Sequence, residues 1–282
     1  QMASFTAGQL NDMSGEQIGS ITTVQIVKMT FADAGDVDGQ LNHLNTDLVA
    51  SLSTEAVAAM TAAQFAVLSG EQFAAMTTEQ VGALTAGQIA KMTTTQAQAM
   101  SGEQLAALDQ SAQVQALTAG VLAELGEDQL TAMGASQVGA LTTKQIAALS
   151  GEQISYFSAE QIEGWDTAKM QAISLTAMAD LSADFVALLT PEQVTALTGK
   201  QIEAMTGSQL AAMSNAQLAA ISAKDLVGVA TNEINALSSE QFDAFTAEQV
   251  AALTTLQINK LSDALISGLG QQEIRALTAA QI

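Results

Sequence analysis

The chain repeats a pattern of eight residues along its whole length, and this period constrains the fold more than any other feature. The octad from Thr85 to Met92 reads TAGQIAKM, and Thr93 opens the next octad. We number the positions of an octad 1 to 8, so that Thr85 holds position 1 and Met92 holds position 8. A short period that persists throughout a chain is typical of a repeat array rather than of a globular enzyme.

Each octad carries the signals that start an α-helix. Ser or Thr at position 1 followed by Gln at position 4 is a capping box, and apolar residues just before position 1 and at position 5 have the spacing of a hydrophobic staple. Position 1 is Ser or Thr in 27 of 35 octads. Pro191 follows Thr190 and therefore holds the first helical position, where its missing N–H costs nothing. The sequence predicts one short helix per octad.

Two other architectures have to be weighed against short helices. In one continuous helix, a period of eight advances about 800°, so the apolar stripe would drift by about 80° per octad and form no seam. A β-solenoid would be rich in Val, Ile, Thr and aromatic residues, whereas Ala and Gln dominate here. We therefore predict an all-α solenoid, or superhelix, of very short helices.

The period is interrupted at two places. Counted from position 1, the stretch from Asp38 to Leu44 has seven residues and the stretch from Asp109 to Leu117 has nine. No linker or change in composition divides the chain, so we predict that residues 1–282 form a single octad-repeat array. Gln1 and Gln281 hold the same octad position, which leads us to expect a segment of, or a subunit in, a longer assembly.

The net charge of −21 has a local explanation. Glu recurs at position 3, where a carboxylate faces the positive end of a helix. With only 8 Lys and Arg residues, the chain cannot neutralise the phosphates of a nucleic acid, so we expect no nucleic-acid partner. Since no apolar run has the length of a membrane span, we also expect no membrane insertion.

The chain has few residues that could act as a nucleophile or a general base. It has no cysteine, which excludes disulfides and thiolate chemistry, and His43 is its single histidine. Many of its hydroxyl groups are assigned to helix caps. A nucleophile paired with a base would have to be built around that one histidine, so we expect no enzymatic activity.

One acid-rich stretch differs from the repeat. The stretch matches a calcium loop of the EF-hand type at relative positions 1, 3, 5 and 12, which are Asp36, Asp38, Gln40 and Asp47. This pattern of residues resembles a dockerin loop. Leu41 holds the position where such a loop needs Gly, and Asp47 is shorter than the usual Glu. The alternative to a calcium site is therefore a simple turn that accommodates the one-residue deletion in this octad. We expect no other cofactor.

The aromatic residues Tyr156, Phe157 and Trp165 lie in two adjacent octads and include the only Tyr and the only Trp of the chain. Phe157 and Trp165 hold position 8, which elsewhere carries Leu or Met. We therefore predict that these two rings fill the core, and the alternative is an exposed binding patch.

The Thr/Ser-x-x-Gln octads resemble the short repeats of long, low-complexity bacterial secreted and surface proteins. This resemblance covers the whole chain, implies an extracellular or cell-surface location, and transfers no catalytic or binding residue. We hypothesise a structural protein that forms an extracellular fibre or filament by head-to-tail self-association of stacked octads. The alternative function is a surface adhesin stalk or a solenoid binding module for a protein or glycan, which would carry a local patch of aromatic and charged residues.

Overall fold

A computed structural model describes residues 4–30, 39–108 and 111–282. Within these ranges the regular structure consists of 32 short helices of four to six residues, without a β-strand. The chain divides into two compact units, Gln1–Gln145 and Ile146–Ile282. The predicted all-α class, with one short helix per repeat in a solenoid-like arrangement, is confirmed.

The helices follow one another at the octad period. The helices that begin in the first unit are α1 (Ala7–Asn11), α2 (Gly15–Gly19), α3 (Thr23–Ile26), α4 (Thr46–Ser51), α5 (Thr54–Ala59), α6 (Ala62–Ala66), α7 (Gly70–Ala74), α8 (Thr78–Gly82), α9 (Ala86–Ile89), α10 (Thr94–Ala99), α11 (Gly102–Ala106), α12 (Ser111–Ala116), α13 (Ala119–Ala123), α14 (Glu127–Ala132), α15 (Ala135–Ala140) and α16 (Thr143–Ile146). Those of the second unit are α17 (Gly151–Ser155), α18 (Ala159–Ile162), α19 (Thr167–Ala172), α20 (Leu175–Asp180), α21 (Ala183–Leu188), α22 (Pro191–Ala196), α23 (Gly199–Ala204), α24 (Gly207–Ala212), α25 (Asn215–Ala220), α26 (Ala223–Leu226), α27 (Thr231–Ile234), α28 (Ser239–Asp243), α29 (Ala247–Ala252), α30 (Thr255–Asn259), α31 (Asp263–Ser267) and α32 (Gln271–Ala276).

Most of the described helices begin after a residue whose side chain caps the first turn, and helices such as α22 end where the backbone becomes extended. Thr190 accepts a hydrogen bond from the Gln193 N–H and donates its own backbone N–H to the Gln193 side chain, which completes the predicted capping box. Helix α22 then ends at Ala196, because Leu197 and Thr198 have extended backbones with ψ of 148° and 155°. These two residues redirect the chain, so the next helix starts along a new axis.

The core of each unit is built from octad positions 5 and 8. Ile89 at position 5 and Met92 at position 8 are both buried, and the same two positions are buried in most octads. Most of the helices pack against the helix three octads further along, as α7 does against α10 and α21 against α24. Hydrogen bonds from the side chain at position 4 reach the octad four places earlier. Because the helix contacts span three octads and these bonds span four, one turn of the solenoid takes between three and four octads within each unit.

Some close helix contacts require glycine. A Cβ atom on Gly102 would lie 2.6 Å from the Asp128 carbonyl oxygen, and one on Gly151 would lie 2.4 Å from the Ala177 carbonyl oxygen. Both glycines hold position 2 and face a helix three octads later. A larger residue would therefore push two backbones apart.

The structure differs from the sequence prediction at the stretch from Asp38 to Leu44. Gln40 completes a capping box with Thr30, since its Oε1 accepts the Thr30 N–H at 2.8 Å and its backbone N–H donates to the Thr30 hydroxyl. Ten residues separate this pair instead of three. The segment from Thr30 to Leu44 is thus one octad with seven additional residues between positions 1 and 4, and not an octad followed by a seven-residue one.

Two further contacts support this count. Helix α2 packs against α4, which is three octads away only if the segment 30–44 is a single octad. Asn11 donates to the His43 carbonyl oxygen 32 residues later, whereas Asn235, at the same octad position, donates to the Lys260 carbonyl oxygen 25 residues later. The difference is again seven residues. Because seven residues nearly equal one octad, the sequence alone suggests a separate seven-residue octad here, and this interpretation is wrong.

The nine-residue octad from Asp109 to Leu117 is confirmed by the bonds that cross it. Gln129 and Gln137 donate to carbonyl oxygens 29 residues earlier, while Gln88 donates to one 28 residues earlier. One additional residue therefore lies between the partners. Residues 109 and 110 themselves lie outside the described ranges.

Candidate functional site: the glutamine column

The most regular polar feature of the structure is the row of glutamines at octad position 4, which we call the glutamine column. In Gln88, the side-chain oxygen accepts the Thr85 N–H at 2.7 Å. The side-chain nitrogen donates to two backbone carbonyl oxygens four octads earlier, those of Val57 at 2.8 Å and Met60 at 3.1 Å. Gln88 is 1% exposed, so the whole carboxamide is used inside the protein.

The same geometry recurs in both units. Gln201, for example, donates to the carbonyl oxygens of Met170 and Ile173, 31 and 28 residues earlier. Glutamines with both acceptors at these separations are Gln72, Gln80, Gln88, Gln96, Gln104, Gln145, Gln201, Gln209, Gln217, Gln249, Gln257 and Gln281. The interaction is therefore a property of the repeat and not of one octad.

This arrangement solves the main problem of very short helices. A helix of five residues leaves most of its terminal N–H and C=O groups without intrahelical partners. A column glutamine such as Gln88 caps the start of its own helix with its oxygen and satisfies the end of a distant helix with its nitrogen. The capping role is predicted from one octad, whereas the second role becomes visible only in the structure.

A signal for the second role was present in the sequence. Gln and Glu serve equally well in a capping box, yet Glu occupies position 4 only at Glu233 and Glu273. A carboxylate has no N–H to donate. The preference for Gln therefore indicates that the nitrogen is needed.

The bonds of the glutamine column all run in one direction along the chain. Each nitrogen with a carbonyl acceptor donates to an octad nearer the N-terminus. Three glutamines near the start of the sequence, Gln9, Gln17 and Gln25, hold their caps with their side-chain oxygens, and their nitrogens donate to no carbonyl oxygen within the described part of the chain.

Ile266 is 41% exposed and Ile274 is 51% exposed, although position 5 is buried in most other octads. The carbonyl oxygens of both residues accept a backbone N–H from their own octad, those of Leu269 and Leu277.

The four residues proposed for calcium are placed only in part. Asp36 and Asp38 lie outside the described residues. Gln40 is buried, and its nitrogen donates to the Phe5 carbonyl oxygen at 2.5 Å, so its side chain belongs to the glutamine column. Asp47 is exposed in the first turn of α4. Within residues 4–30, 39–108 and 111–282, no group of three or more His, Asp or Glu side chains is placed to hold a metal ion, and the calcium site stays a prediction.

The prediction that Phe157 and Trp165 fill the core is confirmed. They are 1% and 4% exposed, and their rings meet edge to face at 6.0 Å. Tyr156 is half-buried, and its hydroxyl donates to Glu152. In the described part of the chain, the Trp165 Nε1 is the buried side-chain nitrogen or oxygen atom that lacks a hydrogen-bond partner.

The acidic residues at position 3 are exposed, and two of them accept hydrogen bonds from groups of their own octads. A hydrogen bond from its own backbone N–H, and then one from the Thr77 hydroxyl, hold the pKa of Glu79 below its usual value. For Glu55, its own backbone N–H and then the Thr54 hydroxyl lower the pKa in the same way. Both carboxylates lie in the first turn of a helix, where the positive end of the helix favours a negative charge. None of the described helices is long and apolar enough to cross a membrane.

Comparison with known proteins finds one family. The model of the ALTTAQ repeat matches residues 49–86 and residues 218–255, one match in each unit. No curated protein matches the chain. The two matches agree with a repeat protein.

Proposed function

We propose that the chain is a structural protein that forms a fibre or filament by stacking octads of one subunit on octads of the next. The observation that carries the proposal is that one stacking design recurs from octad to octad. Positions 5 and 8 are buried in most octads, and column glutamines of both units bond to the octad four places earlier. A second copy of the chain offers octads of the same design, which can stack in the same way.

Burial of the apolar residues at positions 5 and 8 supplies the driving force for such a stack. At about 25 cal/mol per Å² of apolar surface, covering the side chains of two octads favours association by several kcal/mol. A contact between opposite ends of two arrays is heterologous, so it need not close. An open filament is the expected product of such a contact.

The chain's location outside the cell is part of the same proposal and rests on the resemblance to repeats of secreted and surface proteins. The alternative role as a binding module loses its best candidate patch, because Phe157 and Trp165 are buried. The described surface is instead uniform, with acidic residues recurring at position 3. A uniform surface favours a fibre over a local ligand site.

Electron microscopy and sedimentation of the purified chain test the proposal. We expect filaments whose number grows with concentration. Replacing the apolar pair Ile274→Asp and Leu277→Asp, of which Ile274 is 51% exposed, should shorten or abolish them without loss of helical circular dichroism. The matched control is Gln271→Asp and Gln272→Asp, which changes two exposed residues of the same helix. A parent chain that stays monomeric at high concentration would refute the filament.

A further inference from the structure

We infer that Asn11, Ser155 and Asn235 join octads that the glutamine column leaves unjoined. All three residues hold octad position 6. The side chain of each accepts a hydrogen bond from the backbone N–H at position 1 of the octad four places later, the N–H group that a column glutamine holds in other octads. We call these three side chains the position-6 links. The contacts lie within each unit and are independent of the proposed filament.

Asn235 contacts two later octads with one side chain. Its oxygen accepts the Ser262 N–H at 2.9 Å, and its nitrogen donates to the Lys260 carbonyl oxygen at 2.9 Å. Asn11 makes the same two kinds of bond, at 2.8 Å and 2.7 Å. Each of these amides therefore joins its own octad to the octads three and four places later.

Ser155 makes the link with a hydroxyl group. Its oxygen accepts the Ser182 N–H at 2.8 Å and donates to the Gly151 carbonyl oxygen of its own helix at 2.7 Å. Ser155 and Ser182 are 27 residues apart, the same separation as Asn235 and Ser262. The link is thus set by the octad position and not by one residue type.

The octads that receive a link lack a capping box of their own. Their position 4 is Leu48, Phe185 or Leu265, and these side chains have no oxygen to accept the N–H at position 1. The position-6 links supply that oxygen from a different turn of the solenoid. They therefore replace the capping half of a column glutamine.

Gln171 shows the opposite case. It also holds position 6, and its nitrogen donates to the Ala196 carbonyl oxygen three octads later. The Thr198 N–H, four octads later, already donates to the Gln201 side chain. The cap bond is thus made across octads at Asn235 and within the octad at Thr198, which agrees with a replacement role.

The links favour the observed winding. If the octad five places earlier lay beside Ser182 or Ser262, position 6 would present Ala147 or Val227. Neither side chain can accept a hydrogen bond. The links therefore disfavour a winding with one more octad per turn.

Hydrogen exchange of serine amides, followed by nuclear magnetic resonance of a chain with isotope-labelled serine, tests the inference. Ser182 and Ser262 receive a link. Ser174 begins an octad without a column glutamine, and its N–H has no acceptor among the described residues. Relative to intrinsic rates, we expect the Ser174 amide to exchange about fivefold faster than the two linked amides, the ratio for one hydrogen bond of average strength.

Removal of single links gives matched variants. Asn235→Ala should accelerate exchange of the Ser262 amide about fivefold and leave the Ser182 amide unchanged. Ser155→Ala should have the reverse effect. Each variant is thus the control for the other, and circular dichroism checks that both keep the parent's helical signal.

A link can also be added. Ala147 is exposed and stands 27 residues before Ser174, as Ser155 stands before Ser182. Ala147→Asn should slow exchange of the Ser174 amide about fivefold. The control Ala147→Leu has nearly the shape of Asn but no acceptor, and it should leave that amide unchanged.

Three results would overturn the inference. One is a Ser262 amide that exchanges at the parent's rate in Asn235→Ala. Another is acceleration of the Ser182 and Ser262 amides together in either removal variant, which would show general loosening instead of a local link. The third is a Ser174 amide that Ala147→Asn leaves unchanged, or that Asn and Leu slow equally.

Discussion

The substitution Gln88→Glu separates the two roles of a column glutamine. The introduced carboxylate can still accept the Thr85 N–H, so the capping box survives. It cannot donate to the Val57 and Met60 carbonyl oxygens, which lie 2.8 Å and 3.1 Å from the present nitrogen. The substitution would therefore place a charged oxygen beside two other oxygens in a site that is 1% exposed.

The cost can be estimated from these contacts. Loss of a hydrogen bond to a buried carbonyl costs about 1 kcal/mol. The charge itself costs at most the free energy of protonating a carboxyl group at pH 7, which is about 3.7 kcal/mol for a usual pKa near 4.3. We expect a total destabilisation of about 4 kcal/mol, or a fall of about 10 °C in the melting temperature.

The loss should depend on pH with a defined sign. Burial beside carbonyl oxygens raises the pKa of the introduced carboxyl group in the folded state, so the folded state binds the proton more readily than the unfolded state. The stability of the Gln88→Glu variant should therefore recover as the pH falls from 7 toward 4, relative to the parent.

Thermal and urea unfolding followed by circular dichroism measure these effects. The matched control is Gln17→Glu, since Gln17 has the same capping box but is exposed and has no carbonyl acceptor within the described residues. We expect this control to change stability by no more than about 0.5 kcal/mol. Equal stability of the two variants would refute the second role of the glutamine column.

Five further substitutions test other parts of the structure by the same unfolding assays. Thr85→Ala should cost about 1 kcal/mol through loss of the N-cap, and an unchanged melting curve would contradict one capped helix per octad. Trp165→Phe should change the free energy of unfolding by less than about 1 kcal/mol, because removal of a buried donor without a partner offsets the packing lost with the smaller ring. A loss as large as the roughly 3–5 kcal/mol typical of truncation to Ala would show that the Nε1 has a partner. Gly151→Ala should destabilise the fold by roughly 1–3 kcal/mol, because the added Cβ would lie too close to the Ala177 carbonyl oxygen. The matched control Gly139→Ala has open space around it and should stabilise the fold by up to about 1 kcal/mol. Glu79→Gln should lower the melting temperature slightly at pH 7, because the lowered pKa stabilises the folded state above the usual value of 4.5 and this contribution disappears as the pH falls through the folded-state pKa. A difference between the Glu79→Gln variant and the parent that persists at pH 2 would contradict that cause.

Much of the fold follows from local signals in the sequence. The helix starts depend on residues three positions apart, such as Thr190 and Gln193, so a single octad contains all the information. The burial of positions 5 and 8 follows from their apolar composition, and it led correctly to a buried Phe157 and Trp165. These features need no knowledge of the distant chain.

The contacts between octads could not be predicted in the same way. Which octads meet depends on the angle between successive short helices, and no local motif reports that angle. The bonds of Gln88 to residues 28 and 31 positions earlier therefore emerged only from the structure. The misread segment from Thr30 to Leu44 has the same origin, because only the pairing of Thr30 with Gln40 shows which residues are additional.

Column glutamines such as Gln88 and Gln201 join their octads to the octads four places earlier. Nuclear magnetic resonance of a chain with labelled glutamine side chains and labelled methionine tests this directly. We expect nuclear Overhauser contacts from the Gln88 side-chain amide hydrogens to Val57 and Met60, and slow exchange of these hydrogens with solvent. The side-chain amide of Gln17 should exchange fast in the monomer. Contacts of the Gln88 amide only to residues of its own octad, with exchange as fast as that of Gln17, would contradict the second role of the glutamine column.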